Sequence, residues 1–528
     1  MRNRRLILPA LPLSLGALVL AGCTATAATP AAVDVTGSSD EVTVAETTAT
    51  NAEALLAANE DATVVRDDEW SASDAVDIAL TGDGATTEAE GVEVSGSTVT
   101  ITAGGVYRLS GSLDGSVSVE APDEAQVVLI LAGVDIESTD GAAITVVSAD
   151  DVAVSLADGS ENSLSDASSY ADDADANAAL FSEADLTISG TGALTVSGDG
   201  ADGITSEDDL AILSGEITVV AADDALRGKD SLTIEGGTLT LEAGGDALKS
   251  DNEEEDTRGY VVIEGGEISG SAVDDGIDAL TDIVITGGSL TLAAGGDGIH
   301  ADVAVAIAGG TVTVAESNEA LEAAHISIEG GEIELTASDD GINAAGLGTS
   351  GGGGGGMGDT GETVEISGGT VSIDAGGDGL DSNGSMTISG GTITVAGPTS
   401  DGNGALDVNG TFAVTGGTVL AVGSAGMAVS PGEASTQPWI SALASGAAGD
   451  VVEIVDASGS VVVSFTAQKS FGSVVFSSAD LVDGATYTVT VDGAAAATVT
   501  EGAAVAGGGP AGGGPAGGGM GPGGGQRP

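Results

Sequence analysis

A phrase of the form Ile-x-Gly-Gly-x-apolar-x-apolar, followed by Asp-Gly/Ala-Ile/Leu, recurs with its Ile at Ile212, Ile234, Ile263, Ile285, Ile307, Ile328, Ile366 and Ile388. Four of the intervals are 22 residues and one is 21, while those from 234 to 263 and from 328 to 366 carry insertions. A fixed period of this size is the signature of a solenoid, in which each repeat stacks on its neighbours and every repeat position becomes a spatial column.

Residues 232–249 serve as the reference repeat. Leu232 and Ile234 alternate with Thr233 and Glu235, Gly236-Gly237 turns, Leu239 and Leu241 alternate with Thr238 and Thr240, Gly244-Gly245 turns again, and Ala247-Leu248 begins a third strand. Apolar residues two apart share one side of a strand, and Gly supplies the turn conformations that other residues resist. No such strand buries its apolar face alone, whereas parallel stacking at about 4.8 Å per repeat makes a continuous core. The expected fold is all-β, a right-handed parallel β-helix, with the hand taken from the usual sense of parallel crossovers. The regular helix is expected over 187–430, with irregular first repeats and a cap over 67–186. A small antiparallel β domain over 431–500 would cover the last open edge, as Val451-Val-Glu-Ile-Val, Val461-Val-Val-Ser-Phe and Tyr487-Thr-Val-Thr-Val suggest.

Alignment of the repeats puts Asp202, Asp224, Asp246, Asp275, Asp297, Glu319, Asp340 and Asp378 in one column. Three repeats double the acid, as Asp223-Asp224, Asp274-Asp275 and Asp339-Asp340. Three residues on, a second column reads Thr205, Arg227, Lys249, Asp278, His300, Glu322, Asn343 and Asp381. Asp before Gly is also a plain turn former, but that explains neither the doublets nor the second acid. Like charges at strand spacing repel unless a cation lies between them, and Ca2+ accepts six to eight oxygen ligands in flexible geometry. The expected calcium ligands are Asp223, Asp224, Asp246, Asp251, Asp274, Asp275, Asp278, Asp297, Asp339, Asp340, Asp378 and Asp381, densest around Asp246, Asp274, Asp275 and Asp278. Arg227 and Lys249 are candidate contacts for a bound uronate, or else offsets for neighbouring Asp charge. His300 and His325 have no Cys or second His near enough for a zinc set.

The chain carries 82 acids against 11 bases, a formal charge of −71, which excludes nucleic acid as partner because phosphate binding needs Lys and Arg. Residues 1–22 read as a signal peptide, Arg-rich at its start and apolar from Leu6 to Leu20. Leu20-Ala-Gly-Cys23 resembles a bacterial lipobox, so Cys23, the sole cysteine, is the expected lipidation site. That places a monomer on the extracellular face of the membrane, joined to it only by lipid. Residues 23–66 read as an Ala/Thr/acidic disordered tether and 501–528 as a Gly/Pro-rich tail.

Gly159-Ser-Glu-Asn-Ser-Leu-Ser-Asp166, Gly228-Lys-Asp-Ser231, the Gly-Gly repeats with Asp-Gly-Ile, and Gly449-Asp-Val-Val-Glu-Ile-Val with Ser473-Val-Val-Phe-Ser together resemble a family of bacterial surface proteins. These are carbohydrate-binding β-helix proteins related in fold to polysaccharide lyases, and the likeness covers about 67–495. The resemblance implies a calcium-bearing β-helix that binds polygalacturonate and cellulose. Two alternatives stand beside it. A calcium-dependent pectate lyase would use Asp274-Asp275-Gly-Ile-Asp278 to hold the ion and Lys249 as base, although a downstream base is missing. A calcium-stiffened surface spacer would have no glycan ligand.

Overall fold

The computed structural model describes residues 50–171, 174, 176–346 and 358–505. The signal peptide, Cys23, most of the Gly-rich insert at 346–361 and the tail beyond 505 lie outside the described residues. The regular structure among the described residues is nearly all strand, most of it in one large, mostly parallel sheet, with a single α-helix.

The repeat makes three parallel ladders, each strand pairing with the strand one repeat away. Ladder A stacks Asp185–Gly190, Asp209–Ile212, Ser231–Ile234, Tyr260–Ile263 and Asp282–Ile285, then continues to Phe412–Val414. Its register places Ile212 on Ile234, Ile234 on Ile263, Ile263 on Ile285 and Ile328 on Ile366. Ladder B stacks Ala193–Gly198, Glu216–Ala221, Thr238–Ala243 and their successors up to Thr418–Gly423. Ladder C stacks Asp202–Ser206, Leu226–Gly228, Leu248–Ser250, Ile277–Ala279 and onward to Leu406–Val408. Inward residues of all three ladders, such as Ile234, Leu239 and Leu248, form one core cluster running from Ile78 to Val475. A fully buried Leu or Ile contributes roughly 1.5–3 kcal/mol, so strands of three to six residues are held by what they stack between. The insertions 251–259 and 345–362 both fall between ladders C and A, and a shorter one, 397–405, falls between ladders B and C, none of them breaking a ladder.

The two glycines of each A-to-B corner are needed for different reasons. The second takes positive φ, 99° at Gly237, 93° at Gly266 and 81° at Gly391. The first lies against the corner below: a Cβ at Gly265 would sit 2.5 Å from the Glu235 carbonyl oxygen, and one at Gly390 would sit 2.0 Å from that of Ser367.

The C-terminal segment ends the stack. Phe471–Ser477 pairs antiparallel with Thr418–Gly423 of ladder B and with Trp439–Gly446. A separate four-stranded antiparallel sheet, from Val451–Asp456 to Ala494–Thr500, shares an apolar cluster with them around Ile440, Val452, Ile454 and Phe476.

The tether expected over 23–66 is ordered from residue 50. Helix α1 (Ala52–Ala58) packs Ala52 and Leu55 on Tyr260, Val262, Val284, Ala304 and Ala306 of ladder A. The chain then crosses the ladder through Thr63 N–H to Asp209 (2.7 Å), Val65 N–H to Thr187 (3.0 Å) and Arg66 to Glu235 (2.6 Å). Composition could not reveal this strap, because its partners lie 122 to 277 residues away.

Candidate functional site

The acid column occupies the corner between ladders B and C. Register confirms the second column residue by residue: Thr205 on Arg227, Arg227 on Lys249, Lys249 on Asp278, Asp278 on His300, His300 on Glu322, Glu322 on Asn343, Asn343 on Asp381, and Asp381 on Asp407.

The first-column aspartates also tie their repeats to the next, while Glu319 accepts from Asn343 Nδ2 instead. Oδ1 of Asp202, Asp224, Asp246 and Asp275 accepts the backbone N–H of Asp224 (3.2 Å), Asp246 (2.8 Å), Asp275 (2.8 Å) and Asp297 (2.5 Å) in turn. Asp297 does the same for Glu319, Asp340 for Asp378 and Asp378 for Gly404. Side chain to backbone bonding is therefore real at every aspartate of the column, and it fixes one oxygen of each while leaving the other to project. The doublets have a packing logic of their own. Above Asp223-Asp224 comes Gly245, where a Cβ would meet Asp224 Oδ1 at 2.5 Å and Asp223 Oδ1 at 2.6 Å. Above Asp274-Asp275 comes Gly296, where a Cβ would meet Asp275 Oδ1 at 2.3 Å, and above Asp339-Asp340 comes Gly377, where it would meet both carboxylates at 2.3 Å. Glycine in the next repeat makes the room a second acid fills.

Among the described residues, five groups bring three ligand atoms within 4.8 Å of one another: Asp202/Asp223/Asp224, Asp246/Asp274/Asp275, Asp275/Asp278/His300, Asp297/Glu319/Glu322 and Asp340/Asp378/Asp381. Asp339 stands exposed beside the last group rather than within it. Asp251 is drawn away: its carboxylate meets Arg227 at 2.9 Å, and Arg227 also holds Glu207 at 2.9 Å. Lys249 places its ammonium among Asp246 (2.5 Å), Asp224 (3.4 Å) and Asp278 (3.8 Å). Both candidate uronate contacts are thus already engaged by the protein's own acids.

Lys249 is a poor base. Burial acts to lower its pKa, but the hydrogen bond to Asp246 and the charges of Asp224 and Asp278 outweigh it and hold the pKa well above the usual lysine value. Proton abstraction by a lyase needs the opposite shift. Asp246 itself is pushed up by burial, against the pull of the Lys249 ammonium 2.5 Å away.

Downstream the column's one basic side chain among the described residues is His300, stacked on Glu322, and no Lys or Arg occurs between Arg258 and Lys469. Lys469 serves elsewhere, on Asp374 and on the carbonyls of Ala375 and Ala396. Burial, then neighbouring acids, raise Asp381 to about 8, with Asp407 the strongest neighbour. Burial likewise lifts Asp378 and Glu319 to about 7, and Glu322 is raised by burial and Glu319. Asn343 lies between these groups, 9% exposed, its Nδ2 donating to Glu319 (2.8 Å) and its Oδ1 without a hydrogen-bond partner. His300 is more than a surface histidine: its Nδ1 lies 3.1 Å from Asp278, and that hydrogen bond raises its pKa to about 9 against the effect of burial. Sequence alignment had put Glu319, Glu322, Asn343 and His300 in these columns without assigning them a role. The sign that marks the first three is the missing base, which a count of Lys and Arg reveals.

Residues 95–341 match the profile of a family described as carbohydrate-binding domain-containing protein. A protein of that description from Acetivibrio thermocellus is 36% identical over 137 residues, 25% of this chain and 48% of that protein, so the chain spans about half its length. A solved structure, a polysaccharide lyase-like protein from C. thermocellum in its gadolinium derivative, is similar over 44% of this chain and 96% of its own, at 38% identity and a TM-score of 0.43. The stretch 95–341 is homologous to a carbohydrate-binding family, and it holds the acid column from Asp202 to Asp340.

Proposed function

We propose that this chain is a cell-surface protein, lipid-anchored at Cys23, that binds acidic polysaccharide such as polygalacturonate through calcium held on the base-free part of its acid column. The scaffold is a right-handed parallel β-helix built of the three ladders. One observation carries the reading: Asp297/Glu319/Glu322 and Asp340/Asp378/Asp381 each gather three carboxylates within 4.8 Å, with no Lys or Arg from 259 to 468 to neutralise them.

The donor set fits calcium. All donors are hard oxygens, the acids are disposed to ionise only against a cation, and the orphaned Oδ1 of Asn343 is a buried amide oxygen of the kind calcium accepts. Asp340, Asp378 and Asp381 would hold one ion, and Asp297, Glu319 and Glu322 another. A bound calcium supplies positive charge with open coordination positions for sugar carboxylates. The rest is the protein's doing. Backbone N–H groups of Glu319 and Asp378 fix one oxygen each of Asp297 and Asp340, so the other is presented in register. At a net −71 the chain repels a polyuronate, and beyond about 10 Å salt screens any steering, so retention must come from short-range coordination.

The test is retention of the chain on immobilised polygalacturonate, with calcium and with chelator. Binding in calcium that vanishes in chelator and in Asp378→Asn/Asp381→Asn is the expected result. Retention indifferent to chelator would overturn the bridging reading.

A further inference from the structure

The strap is docked over a carboxyl that its surroundings leave unsatisfied. Asp282 stands in ladder A between Tyr260 of the strand before and Ala304 of the strand after, on the same face as Val284. Tyr260, Val284 and Ala304 all belong to the cluster that α1 covers with Ala52 and Leu55, so Asp282 lies inside the footprint of the helix. It is 6% exposed, and its Oδ1 has no hydrogen-bond partner. Asp209, three strands earlier at the same register position, is served in full: it accepts the Thr63 N–H of the strap and the Ser231 hydroxyl.

The docking above Asp282 is slight. α1 has seven residues, too few to persist alone, and of these only Ala52 and Leu55 are buried. Asn59, which caps its C-terminal end, also buries a side-chain Nδ2 without a partner. Unpaired polar atoms oppose burial, and a segment held by few apolar contacts opens while the rest of the fold stays closed.

We infer that the strap is a pH-operated latch, in which α1 closes on ladder A while Asp282 is protonated and lifts when that carboxyl ionises, because an unpaired charge has to reach water. Burial alone raises Asp282, to about 6. The titratable and charged groups of the elements packed here bring it no free counter-charge. Tyr260 donates its hydroxyl to the Glu60 carbonyl, His300 in the strand of Ala304 lies between Asp278 and Asp302, and His325 in the strand after that meets Thr363. The strap adds Glu53 and Glu60, and Arg258 is engaged by Glu60 and Asp230. Docked, Asp282 keeps its proton up to about pH 6, whereas lifted it loses it near pH 4 as an ordinary aspartate does. Docking is therefore strongest in acid and weakens as pH rises through 6. Lifting bares the apolar face of Tyr260, Val262 and Val284 and adds residues 50–59 to the free length of chain before Glu60, while Asp209, Thr187 and Glu235 keep hold of the rest.

The latch lies on ladder A, away from the acid column, so it stands or falls separately from calcium and glycan binding. Hydrogen exchange of the full chain from pH 5 to pH 8, with each rate divided by its intrinsic value, reads it directly. Protection over 54–60 is expected to fall about tenfold, most of it below pH 7, while ladder B over 238–243 holds its protection. Asp282→Asn and the smaller Asp282→Ser, neutral at every pH, should abolish the fall. Asp185→Asn should leave it in place, although burial raises Asp185 to about 7 at the Thr63 end of the strap. Wild-type protection that changes less than twofold, a fall that persists in both Asp282 variants, or one that vanishes in Asp185→Asn instead overturns the latch.

Discussion

The acid column is one motif solved in two ways. From Asp202 to Asp246 the carboxylates are buried, 2%, 6% and 3% exposed at Asp202, Asp224 and Asp246, and Lys249 supplies an ammonium among Asp224, Asp246 and Asp278. From Glu319 to Asp407 the same corner is mostly half-buried, carries acids at both columns save for Asn343, and meets no Lys or Arg. The upstream half carries the Lys249 ammonium covalently and His300, raised to about 9, closes it beside Asp278, whereas the repeats beyond need a cation from solution. A repeat thus conserves geometry while its second column decides whether a site is closed or open.

The sharpest way to break this contrast is to remove downstream acids and compare them with upstream ones. Asp378→Asn/Asp381→Asn is expected to lower calcium affinity by about 100-fold or more and to abolish polygalacturonate retention, since two of three ligands lose their charge. Asp224→Asn/Asp246→Asn should leave the number of bound calcium ions unchanged in calorimetric titration. If both pairs of substitutions cost the same number of ions, the ammonium does not substitute for a metal.

Lys249→Ala comes next. It leaves three carboxylates facing one another where the ammonium stood, and breaking a buried pair costs about 3–5 kcal/mol, a figure to be trimmed because Lys249 is 23% exposed. Urea unfolding in chelator measures the loss. Calcium should restore much of it and add one ion to the titration, turning the upstream half into a copy of the downstream half. A stability loss that calcium leaves untouched would mean the geometry there suits only an ammonium.

The response to pH should also differ in the absence of calcium. Asp378 and Asp381, at about 7 and about 8, hold protons in the fold that they release near pH 4 when unfolded. The folded state therefore binds more protons than the unfolded one across that window. Stability should be greatest below about pH 4, fall as pH rises toward 8, and change little beyond it. Calcium should flatten the fall. Asp378→Asn/Asp381→Asn should flatten it too, and thermal melts from pH 4 to 9 in chelator read both effects. A fall that persists in this double variant would place its origin in the other raised carboxyls, Glu319 at about 7 downstream or Asp202 at about 7 upstream, the latter lifted by burial and by Asp224.

Much of this was legible in the residues. Ile at a fixed spacing gave ladder A its register, Gly-Gly gave the corners, and the columns follow from counting three residues past each acid. The strap from 50 to 66 was not legible, because Ala-Glu-Ala-Leu-Leu-Ala-Ala is a short helix whose burial depends on Tyr260, Val262 and Val284. The direction of Lys249 was also hidden. Its place in the column follows from spacing, but a lysine there could have faced a ligand, and only the three acids converging on its ammonium show that it faces the protein.

The smallest expected effect tests why acids double at all. Gly245→Ala and Gly377→Ala each place a Cβ against the doublet below, at 2.5 Å from Asp224 Oδ1 and 2.3 Å from Asp340 Oδ1. Neither glycine has positive φ, so backbone strain is not the issue and the cost is displacement of a carboxylate, about 1–3 kcal/mol for an overpacked site. In the upstream repeat that displacement loosens Asp224 from Lys249 and should appear only as lower stability. In the downstream repeat it moves Asp340 out of its group with Asp378 and Asp381, and should appear as weaker calcium binding as well. Equal calcium affinities in the two variants would show that Asp340 is there to hold the backbone N–H of Asp378 and not an ion.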